Sequence, residues 1–335
     1  MTRRQLSVRV ETLALAEPFR ISGYVFESCD AVVATIVEDG ASGRGEASGV
    51  YYTGDDVPAM LAAIERVRGE IEAGADRHAL RDLLPPCGGR NALDCALWDL
   101  EAALSGRPVW QLAGGGAPRA LTTTFTLGAD TPERMAAGAR RYADATAIKV
   151  KLTGEVDLDI ARVAAIRAAR DDVWLGVDGN QGFKIGDLPR LIEALVAARV
   201  SLLEQPLARG RESDLDGFES AVRIAADESI LSLAELPRAV GRFDVVNIKL
   251  DKCGGLTEGL MMAAEARRHG LDVMVGNMVG TSLAMAPAFV LGQQCDVVDL
   301  DGPTFLKADR APGIVYRDGT VFSGPEVWGG GGAGA

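Results

Sequence analysis

From about residue 121 onward, short apolar segments alternate with longer stretches of helical periodicity. The apolar segments have the length and β-branched composition of buried strands. Stretches such as LDIARVAAIRAARD and LTEGLMMAAEARRHG, which lie between most of them, are amphipathic at helical spacing. Eight strands are predicted, with the sequences LTTTFTLG, AIKVKL, VWLGVD, VSLLEQP, RIAADES, VVNIKL, LDVMVGNM and DVVDLDGP. Eight strands that alternate with helices predict a parallel barrel rather than a sandwich.

The first 115 or so residues follow a different pattern, in which strands precede helices. LSVRVETLAL and AVVATIVED have strand composition, whereas DDVPAMLAAIERVRGEIEAG and GRNALDCALWDLEAALSG show helical spacing. Gly106 and Pro108 are expected to end the second helix. Strands followed by helices predict an α+β unit, and AGGGAPRA at 113–120 is typical of a linker.

These patterns predict a division of the chain into two parts. We expect an α+β domain at residues 1–118 and a modified barrel at residues 119–306. Part of 307–328 is expected to return to the first domain. The glycine-rich tail at 329–335 is predicted to be disordered because it has low complexity.

The residues that end the second to eighth predicted strands, all of them charged except Gly276, follow one another at intervals of 22 to 29 residues. The third, fourth and fifth strands end in Asp178, Glu204 and Asp227, and active sites of such barrels lie at the carboxyl ends of the strands. Each acid alone could be a loop residue or a helix cap, Asp227 most easily. Three converging carboxylates without histidine or cysteine instead suit a hard divalent cation, and Mg²⁺ above all.

Lysines flank these acids on both sides. Lys149 and Lys151 lie on one face of the second strand, and Lys249 ends the sixth. A single such lysine could be a surface group, but buried unpaired ammonium groups are costly, so we expect anionic partners. Lys151 and Lys249 approach from opposite sides of the barrel, and could act as two bases that remove and return one proton. A metal would stabilise the ene-diolate that forms when a carbon next to a carboxylate loses its proton. Lys149 is expected to hold that carboxylate.

Composition narrows the function further. The 335 residues are 47% hydrophobic and 24% charged with a net charge of −12, which argues against nucleic acid or an anionic membrane as partner. Two histidines and five scattered cysteines offer neither a histidine-based site nor a disulfide framework. We find no bilayer-length apolar run and no signal peptide, and therefore expect a cytoplasmic location.

Taken together, these motifs resemble the enolase superfamily in its muconate-lactonizing enzyme subgroup. The resemblance is carried by KVK at 149–151, the three acids, NIKLDKCGG around Lys249, GRNALDCALWDL, LLEQPL and ADES. It spans nearly the whole chain, and the combination is far more specific than any one motif. The resemblance implies a (β/α)7β TIM-like barrel with an α+β capping domain, whose early loop covers the barrel mouth.

Within the subgroup the chain looks most like the dipeptide epimerases, such as L-Ala-D/L-Glu epimerase. DLDGP, with Asp299 and Asp301 on the eighth strand, carries this likeness. The resemblance implies that these aspartates bind the α-ammonium of a dipeptide, and that Thr126 contacts the substrate. Acids at i and i+2 share one strand face and can accept from one ammonium, although two loop acids before a turn remain an alternative.

One departure concerns substrate choice. Relatives acting on Ala-Glu place an arginine in the early cap loop, where this chain has PFRISGYVFESCD. The matching positions are Gly23, Tyr24, Val25 and Phe26, and Arg20 is the one basic residue nearby. We therefore predict that the distal side chain of the preferred dipeptide is apolar, or at least not confined to glutamate. Arg20, or a basic group elsewhere in the cap, could instead supply the missing charge.

The sequence thus predicts a Mg²⁺-dependent dipeptide epimerase that inverts the α-carbon of the C-terminal residue by two-base 1,1-proton transfer. N-acylamino-acid racemase, o-succinylbenzoate synthase and cycloisomerase activities are alternatives, although their substrates lack the ammonium that Asp299 and Asp301 would bind. A metal-dependent small-molecule binder without turnover is a further alternative. The preferred dipeptide, the pathway, the choice between Mg²⁺ and Mn²⁺, and the formation of a homo-oligomer stay open.

Overall fold

The computed structural model describes residues 4–21 and 24–331, including their side chains except those of residues 19–21 and 24. The chain begins with an antiparallel sheet in the order β1-β2-β3, formed by β1 (Gln5–Ile21), β2 (Tyr24–Glu38) and β3 (Ala41–Ala47). Four helices follow, α1 (Val57–Glu72), α2 (Arg77–Leu83), α3 (Gly88–Ser105) and α4 (Val109–Leu112). Strands followed by helices match the α+β prediction.

Helix α3 lies directly on this sheet because two glycines of β3 remove the side chains between them. A Cβ atom at Gly43 would lie 2.1 Å from the Ala96 carbonyl oxygen, and one at Gly45 would lie 2.1 Å from that of Ala92. The helix is buried over most of its length, and the buried positions include the polar residues Arg90, Asn91 and Asp94. It ends where predicted, at Gly106, whose φ of 66° favours glycine.

The second half of the chain forms one eight-stranded parallel sheet in the order β5 to β12. The strands are β5 (Phe125–Leu127), β6 (Ala147–Lys151), β7 (Trp174–Asp178), β8 (Leu202–Glu204), β9 (Arg223–Ala226), β10 (Val245–Ile248), β11 (Asp272–Val275) and β12 (Val297–Val298). The amide of Thr124 donates to the Val298 carbonyl (3.0 Å), which joins the first strand to the last. The barrel prediction is confirmed.

Helices cover the outside of this sheet. They are α5 (Pro132–Arg141), α6 (Val156–Ala169), α7 (Leu188–Ala197), α8 (Leu250–Cys253), α9 (Leu256–Arg268) and α10 (Ser282–Gly292). After β8 and β9 the connections contain 3₁₀ turns at Glu212–Leu215 and Leu233–Ala239 instead. Among the described residues, no helix combines the length and apolar character needed to cross a bilayer.

One predicted strand is divided in the structure. In the segment 121–128, only β5 enters the barrel, whereas β4 (Leu121–Thr122) pairs with β14 (Thr320–Phe322). β14 in turn pairs with β13 (Val315–Arg317) in a small antiparallel sheet. Thr123 lies between the two strands, and its hydroxyl accepts from the Leu300 amide (2.9 Å). The sequence LTTTFTLG was predicted as one barrel strand, and its pattern of polar residues did not indicate that its first part pairs outside the barrel.

The segment 307–328 contacts the N-terminal sheet at both of its ends. The Lys307 amide donates to the Ala14 carbonyl (2.8 Å), and the Trp328 indole N–H donates to the Arg44 carbonyl (2.8 Å). Just beyond it, the Gly329 amide donates to Asp99 (2.8 Å). Residues 332–335, in which the rest of the predicted disordered tail falls, lie outside the described residues.

A buried ion pair joins α3 to the barrel. Arg90, which is 2% exposed, contacts Glu258 (2.7 Å) and donates to the carbonyls of Gly254 (3.0 Å) and Leu84 (2.9 Å). Removing one partner of a buried pair leaves the other charge uncompensated. This contact therefore holds the two halves of the chain together.

We expect Arg90→Ala to lower the free energy of unfolding by about 3 kcal/mol or more, because Glu258 would stay buried with less compensation. The urea unfolding midpoint measures the loss. Arg211→Ala removes an exposed pair with Asp214 and serves as control, with an expected loss below about 1 kcal/mol. Equal, small losses in both variants would show that the pair does not join the two halves.

Candidate active site

The register of the barrel brings the predicted charged residues to one edge of the sheet. Lys151 of β6 lies beside Asp178 of β7, and Asp178 lies beside Glu204 of β8. Asp227 follows the last residue of β9, and Lys249 follows the last residue of β10. Since the strands are parallel, their carboxyl ends all meet at this edge.

Asp178, Glu204 and Asp227 form a compact acidic trio. One carboxylate oxygen of each lies within 4.8 Å of the others, and none of the three residues is more than 1% exposed. The Oε2 atom of Glu204 is buried without a hydrogen bond of acceptable geometry, although Lys149 Nζ is 2.6 Å away. Three oxygen donors at this spacing, one of them incompletely satisfied, fit a hard divalent cation.

Residues not singled out from the sequence orient the trio. The Asn180 amide donates to Asp178 Oδ1 (2.9 Å), and the Asn247 side-chain amide donates to Glu204 Oε1 (2.9 Å). The Lys252 ammonium donates to Asp227 Oδ1 (2.5 Å) and to the Asn247 carbonyl (2.9 Å). Such partners fix ligand geometry around a metal. Lys252 lies within the motif NIKLDKCGG, but its spacing alone did not indicate a contact with Asp227.

The three lysines have the anionic partners that their buried positions require. Lys149 Nζ lies 2.6 Å from Glu204, 2.9 Å from Asp299 and 3.3 Å from Asp178. Lys151 donates to Asp178 (2.6 Å), and Lys249 donates to Asp227 (2.7 Å). The lysines on β6 and after β10 therefore bind members of the trio from two different sides.

Burial and charge oppose each other in the pKa values of this cluster. Burial alone would lower the pKa of Lys249, but the neighbouring carboxylate of Asp227 raises it above its usual value. Burial likewise would raise the pKa of Asp178, yet Lys151 and Lys149 hold it below its usual value. Glu204 differs, because burial, followed by repulsion from Asp178, raises its pKa to about 7. The carboxylate of Asp227 therefore favours the protonated form of Lys249.

Two aspartates and two threonines lie where the first and last barrel strands meet. Asp299 accepts from the Thr124 hydroxyl (2.5 Å) and from Lys149 (2.9 Å). Asp301 accepts from the Thr126 amide (2.6 Å), and burial, followed by repulsion from Asp299, raises the pKa of Asp301 to about 7. Both acids and Thr126 line the same cavity, so the structure brings together the residues predicted to bind the substrate.

A cavity of about 340 Å³ lies between the barrel mouth and the N-terminal sheet. The barrel contributes the charged floor, and the apolar residues of its wall are Leu15, Phe26, Val57, Met278, Val279 and Phe305. Tyr51 lies against Phe26, with ring centroids 5.3 Å apart, and against Tyr52 at 5.1 Å. The described residues that line the cavity include three lysines and no arginine.

The predicted specificity loop is only partly described. Phe26 lines the cavity, whereas Val25 is 55% exposed. Gly23 lies outside the described residues, and so do the side chains of Arg20 and Tyr24. The backbone places Arg20 opposite Val25 in the β1–β2 pairing. The roles predicted for these residues stay predictions.

A second cap segment, the loop 48–56, reaches the cavity and was not found from the sequence. Asp251, two residues after Lys249, accepts from the amides of Ser48 (2.9 Å) and Gly49 (3.0 Å). At the far end of the loop, Asp55 accepts from the Gly88 amide (2.6 Å). The loop that carries Tyr51 and Tyr52 is therefore anchored both to the barrel and to α3.

This fold and site define a class, the capped barrels whose strand ends hold three carboxylates between lysines. The chain belongs to the mandelate racemase/muconate lactonizing enzyme family, within the enolase fold. Residues 3–114 match the N-terminal domain of that family, and residues 134–325 match the enolase C-terminal domain-like model. The family that the motifs resemble is thereby confirmed.

Similar proteins include characterised dipeptide epimerases. L-Ala-D/L-Glu epimerase of Escherichia coli (strain K12) is 37% identical over 95% of this chain and 99% of its own. A crystal structure from Agrobacterium tumefaciens with bound sodium and L-Ala-L-Glu, homologous to dipeptide epimerases, has a TM-score of 0.93 and 38% identity over 97% of this chain and 100% of its own. The dipeptide epimerase of Enterococcus faecalis V583, complexed with Mg and L-Leu-L-Tyr, has a TM-score of 0.86 and 30% identity over 94% of both chains.

The position of Asp251 predicts a pH-dependent stability. Burial raises the pKa of its carboxyl to about 7, although the Ser48 and Gly49 amides act in the opposite direction. The folded state therefore holds a proton that the unfolded chain releases near pH 4. Stability from this group is present below about pH 4 and is lost as the pH rises through about 7.

We expect Asp251→Asn, which keeps an acceptor for both amides but cannot ionise, to gain stability relative to the wild type between pH 5 and pH 8. Urea midpoints at the two pH values measure this difference. Glu219→Gln, at an exposed carboxylate, should show no such change. A wild-type-to-variant difference that stays constant with pH would refute the assignment.

Proposed function

We propose that this chain is a Mg²⁺-dependent dipeptide epimerase, which inverts the α-carbon of the C-terminal residue by two-base 1,1-proton transfer. The observation that carries the proposal is the buried trio, whose ligand atoms lie within 4.8 Å of one another, contacted by Lys151 on one side and Lys249 on the other. The relatives described above are named for this reaction or hold dipeptides.

Lys151 and Lys249 are the proposed bases. β6 and β10 are four strands apart in the sheet order, so the two ammonium groups reach the site from opposed walls. One amine would remove the α-proton, and the other, as an ammonium, would deliver a proton to the opposite face of the same carbon. Both lysines line the cavity, where a substrate between them is within reach of each.

Asp178, Glu204 and Asp227 would hold the metal. When bound, Mg²⁺ supplies positive charge that stabilises the ene-diolate and lowers the pKa of nearby lysines. The lysines contact the oxygens of the trio, for example Lys149 with Glu204 at 2.6 Å. Competition for the same oxygens would free the amines for proton transfer.

The remaining charged residues would fix the two ends of the dipeptide. Lys149 would bind the carboxylate, and Asp299 with Asp301 would bind the α-ammonium beside Thr126. Asp299 and Asp301 are buried acids in the segment that follows β12, with Lys149 as the cation that contacts Asp299. A substrate ammonium would supply a second positive charge for the two acids. A substrate without an ammonium would not supply it, which argues against N-acylamino-acid racemase, o-succinylbenzoate synthase and cycloisomerase activities.

The lining of the cavity supports a preference for apolar side chains. Phe26, Met278 and Val279 lie above the charged floor, and no arginine is among the described lining residues. The relative from Enterococcus faecalis binds L-Leu-L-Tyr, whereas the structure from Agrobacterium tumefaciens holds L-Ala-L-Glu. We therefore propose a substrate range that includes apolar dipeptides and is not confined to glutamate.

We also propose the domain division drawn from the sequence, with a cap at 1–118, the barrel at 119–306 and a return of part of 307–328 to the cap. The contacts of Lys307 and Trp328 with the N-terminal sheet support this return. A cytoplasmic location and a homo-oligomer remain predictions.

Incubation with a mixed dipeptide library in D₂O and Mg²⁺, followed by mass spectrometry, tests the function and its substrate range. We expect deuterium at the α-carbon of C-terminal residues, fastest for apolar residues, and none when EDTA removes the metal. A strong preference for Ala-Glu would refute the apolar range. No incorporation at all would instead favour a binder without turnover.

Lys151→Ala and Lys249→Ala should each abolish epimerisation, because each removes the base on one face of the α-carbon. Each variant should still exchange the α-proton of one epimer, and the two variants should retain opposite epimers. NMR of L,L and L,D dipeptides in D₂O measures both. Normal epimerisation by either variant would show that the bases are assigned wrongly.

A further inference from the structure

Glu228 is a buried acid beside the trio to which the mechanism above gives no role. It follows Asp227 directly, is 2% exposed and lines the cavity. Its Oε2 atom is buried and accepts no hydrogen bond. Because an unsatisfied buried carboxylate oxygen is costly, its persistence at the cavity indicates a donor that arrives in the working state.

Lys249 contacts Asp227, the residue directly before Glu228. The side chains of Lys249 and Glu228 both line the cavity. Arg209, the other cation nearby, donates instead to the Glu228 backbone carbonyl (2.7 Å) and pairs with Glu235 (2.5 Å). Among the cations of the cavity, Lys249 is thus the one that contacts the residue next to Glu228.

In the structure Lys249 contacts Asp227, a carboxylate that is also a proposed metal ligand. Lys249 Nζ lies 2.7 Å from Asp227 Oδ2, and Asp227 belongs to the proposed metal-binding trio. If Asp227 held the metal, the ammonium of Lys249 beside it would be repelled and would lose part of its interaction with the same oxygens. Lys249 then needs a second acceptor that keeps its amine directed at the substrate.

We propose that Glu228 is a positioning residue for Lys249, which accepts the hydrogen bond of that lysine once the trio is occupied. The proposal rests on the proposed function, because it assumes that Lys249 is one of two bases. The proposed role applies to Lys249 alone, because Asp178, which contacts Lys151, is followed by Gly179 and not by a second acid. Loss of Glu228 should therefore affect one face of the α-carbon.

The test measures α-proton exchange in D₂O separately for L,L and L,D dipeptides, with Mg²⁺ and the full chain. In Glu228→Gln we expect exchange of the epimer that depends on Lys249 to fall about tenfold or more. Exchange of the epimer that depends on Lys151 should change less than about twofold. The Lys249→Ala and Lys151→Ala variants identify which epimer depends on which lysine.

Three controls separate this role from others. Glu219→Gln should leave both exchange rates unchanged, and calorimetry should show unaltered Mg²⁺ binding in Glu228→Gln. If that variant does not fold by near-ultraviolet circular dichroism, Glu228→Asp, which keeps the charge but shortens the side chain, should show the same one-sided loss.

Each other outcome overturns the proposal. Equal losses for both epimers, or weaker Mg²⁺ binding, would assign Glu228 to the metal site. Unchanged rates would show that its carboxylate is not used. Absence of exchange in the wild type would refute the proposed function itself, and with it the role of Glu228.

Discussion

The site depends on a balance between the negative and positive charges of buried side chains. Asp178, Glu204 and Asp227 end three neighbouring strands, and each would be costly to bury alone. Lysines from the strands on either side supply the opposite charge at distances of 2.6 to 3.3 Å. Because the strands are parallel, one register fixes all of these contacts together. A barrel with another register would leave buried charges without partners.

The cavity exists only because the N-terminal sheet is held over the barrel mouth. Arg90 and Glu258 join α3 to α9, and Asp251 joins the loop 48–56 to the segment after Lys249. Arg310 adds a further contact from the C-terminal segment, since its guanidinium lies 2.7 Å from Glu46 of β3. These contacts hold the N-terminal sheet over the charged cluster, whose three acids are at most 1% exposed, and electrostatic interactions are stronger at buried positions.

Much of the barrel and its acidic trio could be predicted from the sequence, because the spacing of apolar segments and of the residues that end them can be read along the chain. Eight apolar segments at regular intervals predicted the barrel, and the acids that end three of them predicted the trio. The partners of the trio could not be predicted, since Asn247 and Lys252 reach it through side-chain directions set by packing. Asp251 was missed because its contacts are backbone amides some 200 residues earlier. Likewise, the division of LTTTFTLG depends on a strand near residue 320.

The double anchoring of the loop 48–56 has an evolutionary consequence. Groups proposed to move protons come from the strands, whereas Tyr51 and Tyr52, which also line the cavity, come from a separate stretch of polypeptide fastened by hydrogen bonds to backbone amides. Side chains on that stretch can be exchanged without disturbing the ionic cluster beneath. Substitutions in the loop 48–56 can thus change the substrate range while the reaction itself is conserved. This is one route by which a single chemistry diversifies across a family.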